Sequence, residues 1–324
     1  MGRRFEPVWA HNSKVHHERP GVKKLRVMIL GKGLVGSALM QRLATVPNFE
    51  IIGIGRQDCD LRDRLVVENL FLAKKPDLVI LAAGVVGGIE KNLSSSAELV
   101  MENSRIILNV LDAAVLVRTP KLINLVPACV YPARINHRMR PEDIFSGPME
   151  QSSLPYSTAK LAGVVMVSTL RKEYGLDWVS AISTNLYGDN LDDENHKAHV
   201  IPALASKFSE AKRLNIPTVR LLGNGLPIRE FLHIEDFAEA VLKVIELDFY
   251  DEKVFTIAGK EEISIRDLAG LFKKTFGYEG SLIFTNDGKN GAPIKLLDGS
   301  EIQALGWEPK VSLESGLKRI FSKV

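Results

Sequence analysis

Leu25 to Leu30 reads L-R-V-M-I-L and runs directly into G-K-G-L-V-G, Gly31 to Gly36. The apolar run predicts a strand buried on both faces, and the stretch behind the glycines, to about Val46, carries the apolar spacing of an amphipathic helix. A strand that turns through glycines into a helix exposes backbone N–H groups at the helix N-terminus, where a pyrophosphate can approach closely. In that context Gly31, Gly33, Leu34, Val35 and Gly36 are candidate dinucleotide contacts. Without the context the same glycines would describe only a tight turn.

The pattern repeats outward. Phe49 to Ile54 predicts a second strand, ending in G-R-Q-D-C-D-L-R-D, and a helix from about Leu65 to Ala73 leads to a third strand at Asp77 to Ala82. A helix from about Ala97 to Leu116 precedes the apolar strand at Leu122 to Val126. A helix from Tyr156 to Gly175 then leads to a strand over Trp178 to Gly188. Strands alternating with helices predict an α/β fold, a doubly wound parallel Rossmann sheet. The end of the second strand selects the cofactor. A carboxylate there binds a ribose 2′-hydroxyl and an arginine accepts a 2′-phosphate, so Arg56, with Asp60 and Leu61 slightly later, favours NADP over NAD. Ala82, Ala83 and Gly84 end the third strand on the same side.

The chemistry is carried by Leu122 to Lys160. L-I-N-L-V-P-A-C-V-Y-P brings Cys129 and Tyr131 to a strand tip, and P-Y-S-T-A-K places Tyr156 and Lys160 one helical turn apart. A phenol beside an ammonium is expected to have its pKa lowered, as a proton donor in redox chemistry requires.

After Gly188 the pattern changes. Asp189 to Ala198 reads as a loop, His199 to Lys212 as a helix, and Val219 to Asp236 as strand, glycine turn and strand. A helix from Glu235 to Leu247 and the strand V-F-T-I-A follow. Ile265 to Phe276, the loop G-K-N-G-A-P-I-K-L-L-D and a closing helix at Leu313 to Phe321 complete a smaller C-terminal α/β substrate domain. The expected division is a flexible arm over 1–22, the NADP-binding domain over 23–188 with 230–258 rejoining it, and the substrate domain over 189–229 and 259–324.

Composition narrows the class. An apolar fraction of 45%, a charged fraction of 25% and a net charge of +3 are ordinary for a globular chain and give no argument for nucleic acid. No apolar run reaches the roughly 20 residues needed to cross a bilayer, so no membrane partner is expected. Two cysteines, Cys59 and Cys129, suit a reducing cytoplasm rather than a disulfide framework. His11, His16 and His17 lack ligand partners at metal spacing and read as part of a solvated tail, so no metal is expected.

The ordered blocks G-L-V-G-S-A, K-P-D-L-V-I-L-A-A-G-V-V-G-G-I, C-V-Y-P, P-Y-S-T-A-K, T-N-L-Y-G, H-V-I-P-A-L, P-I-R-E-F-L-H-I-E-D and K-L-L-D resemble the extended short-chain dehydrogenase/reductases. Within that superfamily they are most similar to the GDP-L-fucose synthase family, epimerase-reductases of a GDP-linked 4-keto-6-deoxy sugar. The resemblance implies that Tyr156 protonates the C4 ketone oxygen as NADPH delivers hydride, while Lys160 holds the nicotinamide ribose. It implies that Cys129 and His199 move the protons at C3 and C5, with His199 also on the cofactor side. Asn185 and Leu186 fall at cofactor positions, and Asn185, Val200, Lys207, Leu222, Arg229, Asn290 and Lys295 at substrate positions. A homodimer through the Ala97 and Tyr156 helices is implied as well.

The chain departs from the family at Pro127 and Ala128, where the family has two serines. The first of those serines hydrogen-bonds the reacting ketone, and proline has no donor. Losing one such donor costs about 2.7–4 kcal/mol unless another hydroxyl substitutes. Ser152, Ser153 and Thr158 are the nearby candidates. Lys207, Leu222 and Asn290 replace the family's arginine, tryptophan and aspartate, and the glycine loop is one residue shorter. Three readings follow: an NADPH-dependent epimerase/reductase, an epimerase without efficient reduction, and a non-catalytic NADP-binding protein.

Overall fold

The computed structural model describes residues 24–87, 92, 94–188, 199–247, 254–285 and 291–322. The expectations for 1–22, for Asp189 to Ala198 and for Asn290 lie outside them.

Strand β1 (Leu25–Leu30) turns through Gly31 into α1 (Leu34–Leu43), and β2 (Phe49–Ile54), α2 (Arg64–Lys74) and β3 (Leu78–Leu81) follow. Then come α3 (Ser96–Leu116), β4 (Lys121–Pro127), α4 (Leu154–Tyr174) and β5 (Asp177–Ser183). Gly175 ends α4 in the left-handed conformation (φ 63°), the glycine stop expected there. A six-stranded parallel sheet runs in the order β2-β1-β3-β4-β5-β9, with β9 (Val254–Ile257) joining it beside β5. The order reverses at β1, between β2 and β3, which opens the ligand crevice of such sheets.

Alternate residues of each strand go to opposite cores. Val27 and Ile29 pack on one face with Leu78 and Ile80, while Met28 and Leu30 pack on the other with Val79 and Leu81. Both faces are covered, which is why these strands read as unbroken apolar runs. Helix α1 and α6 (Ile234–Ile245) cover the first face, and α2, α3 and α4 contribute to the second.

The expected single strand over Trp178 to Gly188 is two. Thr184 breaks it, and β6 (Asn185–Tyr187) leaves the parallel sheet to pair with β8 (Ile228–His233). Of the 230–258 stretch, α6 and β9 serve the large sheet, whereas β8 lies at the centre of a smaller one. There β8 is flanked by β10 (Glu262–Ser264) and by β12 (Ile294–Lys295), a two-residue strand inside what reads as a loop. β7 (Thr218–Leu221) does not pair with β8 across the glycine turn; it pairs in parallel with β11 (Ser281–Phe284).

The remaining helices are α5 (Val200–Arg213), α7 (Ile265–Thr275), α8 (Ser300–Ala304) and α9 (Leu313–Phe321). α5, α7 and α9 close a third core around Phe208, stacked on Phe272 with ring centres 5.8 Å apart, while α8 sends Ile302 into the first core. No described helix is long and apolar enough to cross a membrane.

Candidate active site

The glycine turn is built for close approach. Gly31 has φ 110°, and a Cβ there would stand 2.9 Å from Ala83 N; a Cβ on Gly36 would stand 1.7 Å from Gly31 O. These contacts fold the β1 turn, the N-terminus of α1 and the end of β3 against one another. Gly33, the residue capping α1, faces open space where a Cβ would meet nothing within 4 Å. Leu34, Val35, Ala82 and Leu186 pack partly buried against the core beneath the turn.

At the tip of β2 both carboxylates are occupied. Asp58 takes Lys32 Nζ and Gly55 N, each at 2.7 Å. Asp60 takes the Arg62 guanidinium, which holds its carboxyl down at about 2. Arg56 is exposed at the same tip, and Leu61 is buried below it. The exposed Arg56 guanidinium at this tip suits a 2′-phosphate, and Asp58 and Asp60 are each already paired with a cation.

Tyr156 and Lys160 lie on the first turns of α4, with Lys160 Nζ 6.0 Å from the centre of the Tyr156 ring. Lys160 is buried and donates to Ala83 O at 3.2 Å, which ties the helix to the end of β3. Gly84 packs tightly beside it: a Cβ there would stand 3.0 Å from Asn103 Oδ1 and 3.2 Å from Lys160 Nζ.

The electrostatics reverse the sequence expectation for the phenol. Burial pushes Tyr156 up, with the nearby Cys129 adding to the rise. Burial also pushes Lys160 down to about 8, against the opposing pull of Cys129. Lys160 is buried and Tyr156 partly so, and the cost of charging a group away from water sets the direction for each. Tyr156 therefore stays protonated across the neutral range, which is the form that can give a proton.

Cys129 follows β4 in a short 3-10 turn over Ala128–Val130. Burial raises its thiol, opposed in order by Lys295, by the Ser157 hydroxyl and by Lys160. Lys295 reaches the site from β12 and pairs with Glu150 at 3.7 Å. Glu150 in turn accepts from Ser152 Oγ at 3.0 Å. Arg229 is the register partner of Lys295 across β8 and β12; burial lowers its pKa and Glu150 opposes that. One site thus joins the β3 end, the β4 end, the start of α4 and the β8–β12 pair.

The hydroxyls near Pro127 divide clearly. Thr158 is exposed and donates back to Leu154 O at 2.7 Å, and Ser152 is committed to Glu150. Ser157 is fully buried, donates to Ser153 Oγ at 3.2 Å and stands beside Cys129. Sequence reasoning passed over Ser157 because it reads as filler between Tyr156 and Lys160. Asn103 was also missed: from the middle of α3 its Oδ1 accepts from Val85 N at 3.0 Å and its Nδ2 donates to Val85 O at 2.9 Å, holding the chain beyond Gly84. A buried amide in an otherwise apolar helix face was its only signal.

Other expected residues lie on β6, on α5 and just beyond β7. Asn185 follows the Thr184 break and donates to Glu230 O at 3.0 Å. His199 caps α5 from an exposed position, followed by the exposed Val200. Lys207 donates to Arg220 O at 3.0 Å, and Leu222 is exposed.

The crevice at the strand order's reversal, the glycine turn and the Tyr-Lys pair define a Rossmann-type epimerase, dehydratase or reductase. The chain belongs to the NAD dependent epimerase/dehydratase family, which it matches over residues 27–258. It is 38% identical over 297 residues to the probable GDP-L-fucose synthase 1 of Oryza sativa subsp. japonica, covering 90% of this chain and 89% of that one. It is 35% identical over 305 residues to the GDP-L-fucose synthase of Escherichia coli (strain K12), covering 91% and 95%. Among solved structures it is similar to the GDP-mannoheptose C4 reductase from Campylobacter jejuni with NADP bound. There the TM-score is 0.83 at 28% identity, with 93% of this chain and 98% of that one covered.

Proposed function

We propose that the protein is an NADPH-dependent 3,5-epimerase and 4-reductase of a nucleotide-linked 4-keto-6-deoxy sugar, with a GDP-linked sugar as substrate. One observation carries the reading: a protonated phenol, a buried lysine and a thiol converge where β3, β4 and α4 meet. The similarity to GDP-L-fucose synthases and to a GDP-sugar reductase supports the substrate class.

NADPH would lie over the glycine turn with its 2′-phosphate at Arg56, and it supplies the hydride that reduces the C4 carbonyl carbon. Tyr156 gives its proton to the C4 oxygen. Lys160, when charged, stabilises the phenolate left behind. Cys129 and His199 are the pair for the epimerisation: one takes the proton from carbon beside the ketone and the other returns it on the opposite face. Lys295 beside Cys129 favours the thiolate needed for the first of these steps. Arg229 offers a guanidinium to a phosphate of the nucleotide, with Lys207 and Val200 on α5 and Leu222 beyond β7 toward its base. The reading implies a reducing compartment, since Cys129 must remain a thiol, and a homodimer through α3 and α4.

Pro127 and Ala128 at the end of β4 favour a second reading, in which epimerisation proceeds and reduction is slow. One experiment treats both. The protein is incubated in deuterium oxide with NADPH and GDP-4-keto-6-deoxymannose, with NADPH absorbance and sugar deuteration followed together. The main reading expects deuterium at C3 and C5 and one NADPH consumed per sugar. Deuteration without NADPH consumption selects the second reading. Neither event, in protein shown to bind both ligands, leaves a binding protein and sinks both.

A further inference from the structure

Glu230 has no exposed surface (0%), and the proton transfers described above give it no part. Its main-chain carbonyl accepts from Thr184 Oγ1 at 3.1 Å and from Asn185 Nδ2 at 3.0 Å. Its carboxylate accepts from Leu297 N at 3.0 Å and from Arg138 Nη1 at 3.3 Å. Arg138 Nη1 also donates to Leu297 O at 3.0 Å, while its Nη2 pairs with Glu262, the residue opposite Glu230 on β10. A single side chain in the centre of β8 therefore grips the run that begins at Lys295.

That run needs a grip. β12 is only two residues long, and parallel pairing over so short a length is weak. Lys295 nonetheless has to sit beside Arg229, Glu150 and Cys129. Beyond it, Met139 N donates to Leu296 O and Asp298 N to Met139 O, both at 2.9 Å, so one edge of the run is held by the Arg138 loop. Glu230 holds the other.

We propose that Glu230 is a positioning residue for nucleotide-sugar binding, its carboxylate fixing the Lys295–Leu297 run at the substrate side while its carbonyl fixes Asn185 at the cofactor side. The inference rests on the epimerase/reductase reading of the site. A carboxylate suits the place because donors converge on both of its oxygens, Leu297 N on one and Arg138 Nη1 on the other, and an amide would offer one oxygen and set an N–H against a donor.

Burial raises the Glu230 carboxyl to about 7, opposed by Leu297 N–H, Arg138, Thr184 and Gly259 N–H. Arg138 from its loop and Glu262 from β10 are the charged side chains that face it. The charged half of the grip weakens as pH falls through about 7, because protonating the oxygen that faces Arg138 removes its negative charge and sets an O–H against the guanidinium. Glu230→Gln reproduces the protonated state at every pH.

The test uses Glu230→Gln in the full chain, with three readouts. GDP is titrated calorimetrically into NADPH-loaded protein, NADPH is titrated by fluorescence, and amide exchange is followed over 294–298. GDP affinity in the unaltered protein is expected to depend on pH through 7, and in the variant to fall at least 10-fold and lose that dependence. NADPH affinity is expected to change less than 2-fold, and exchange at 294–298 to rise at least 10-fold without a rise in β1 or α1. Unchanged exchange at 294–298 overturns the proposal. So does a parallel loss of GDP binding, NADPH binding and Tm, which would mark Glu230 as a general packing residue. If the unaltered protein binds no GDP, the GDP reading of the substrate fails, and the exchange measurement still decides whether Glu230 holds the run.

Discussion

Lys160 Nζ lies 6.0 Å from the centre of the Tyr156 ring and 3.2 Å from Ala83 O, so the lysine is fixed between the phenol and the end of β3. Its charge is what the phenolate needs after proton transfer, and its burial sets the pH at which that charge is lost.

Reduction is expected to slow as pH rises through about 8, the value to which burial pushes Lys160. The basic limb of kcat/KM for NADPH oxidation measures this, because that limb reports groups of the free enzyme. Lys160→Arg, whose guanidinium stays charged, should move the limb upward even if the rate drops. The same shift has a stability consequence: an unfolded chain holds the lysine proton to about 10.4. The cost of burying the charged lysine is therefore present in full below about 8 and is relieved as pH rises above it. A limb unmoved in Lys160→Arg would assign the titration to another group.

Tyr156→Phe removes the donor and keeps the ring. NADPH consumption should fall about 10²–10⁴-fold, the usual contribution of a general acid. Deuterium incorporation at C3 and C5 should continue, since the proposed function assigns those protons to Cys129 and His199. Loss of both activities with NADPH binding intact would argue against separate groups for the two steps.

Thiol chemistry tests the surroundings of Cys129. Burial raises its pKa, so iodoacetamide should alkylate it more slowly than a free cysteine at pH 7 and progressively faster above pH 9. Ser157→Ala removes a hydrogen bond to the thiolate and should move that profile further upward. The measurement uses a Cys59→Ala background, and mass spectrometry assigns the site. An identical profile with and without the Ser157 hydroxyl would remove Ser157 from the site.

Arg56→Ala should raise the NADPH Kd about 10–100-fold, the worth of a charge-assisted hydrogen bond of roughly 1.5–3 kcal/mol. NADH affinity should be nearly unchanged. Fluorescence titration with both nucleotides gives the ratio, and equal losses for the two would show that Arg56 does not read the 2′-phosphate.

The two glycines of the turn should separate folding from binding. Gly36→Ala places a Cβ on Gly31 O and should lower Tm and abolish NADPH binding together. Gly33→Ala meets open space, so Tm should hold while NADPH binding weakens about 10-fold or more. A Gly33→Ala protein that binds NADPH normally would place the pyrophosphate elsewhere.

The order of strands and helices through β5 was legible in the residues alone. Apolar runs, helical spacing and glycine stops act over a few positions, and both faces of the large sheet are buried, so tertiary packing reinforced those local signals. Tyr156 and Lys160 were legible for the same reason, being one helical turn apart. The break at Thr184 was not, because Trp178 to Gly188 is extended throughout and only the choice of partner strand divides it.

The placement of Lys295 beside Cys129, the hydroxyl of Ser157 against that thiol, and the burial of Glu230 under Leu297 were decided by tertiary structure alone. Glu230 and Leu297 are 67 residues apart, and neither carries a local pattern that announces the other. A buried carboxylate in a strand resembles a surface one until its donors are known. Those donors, Leu297 N–H just past β12 and the Arg138 guanidinium, arrive only when the chain has folded.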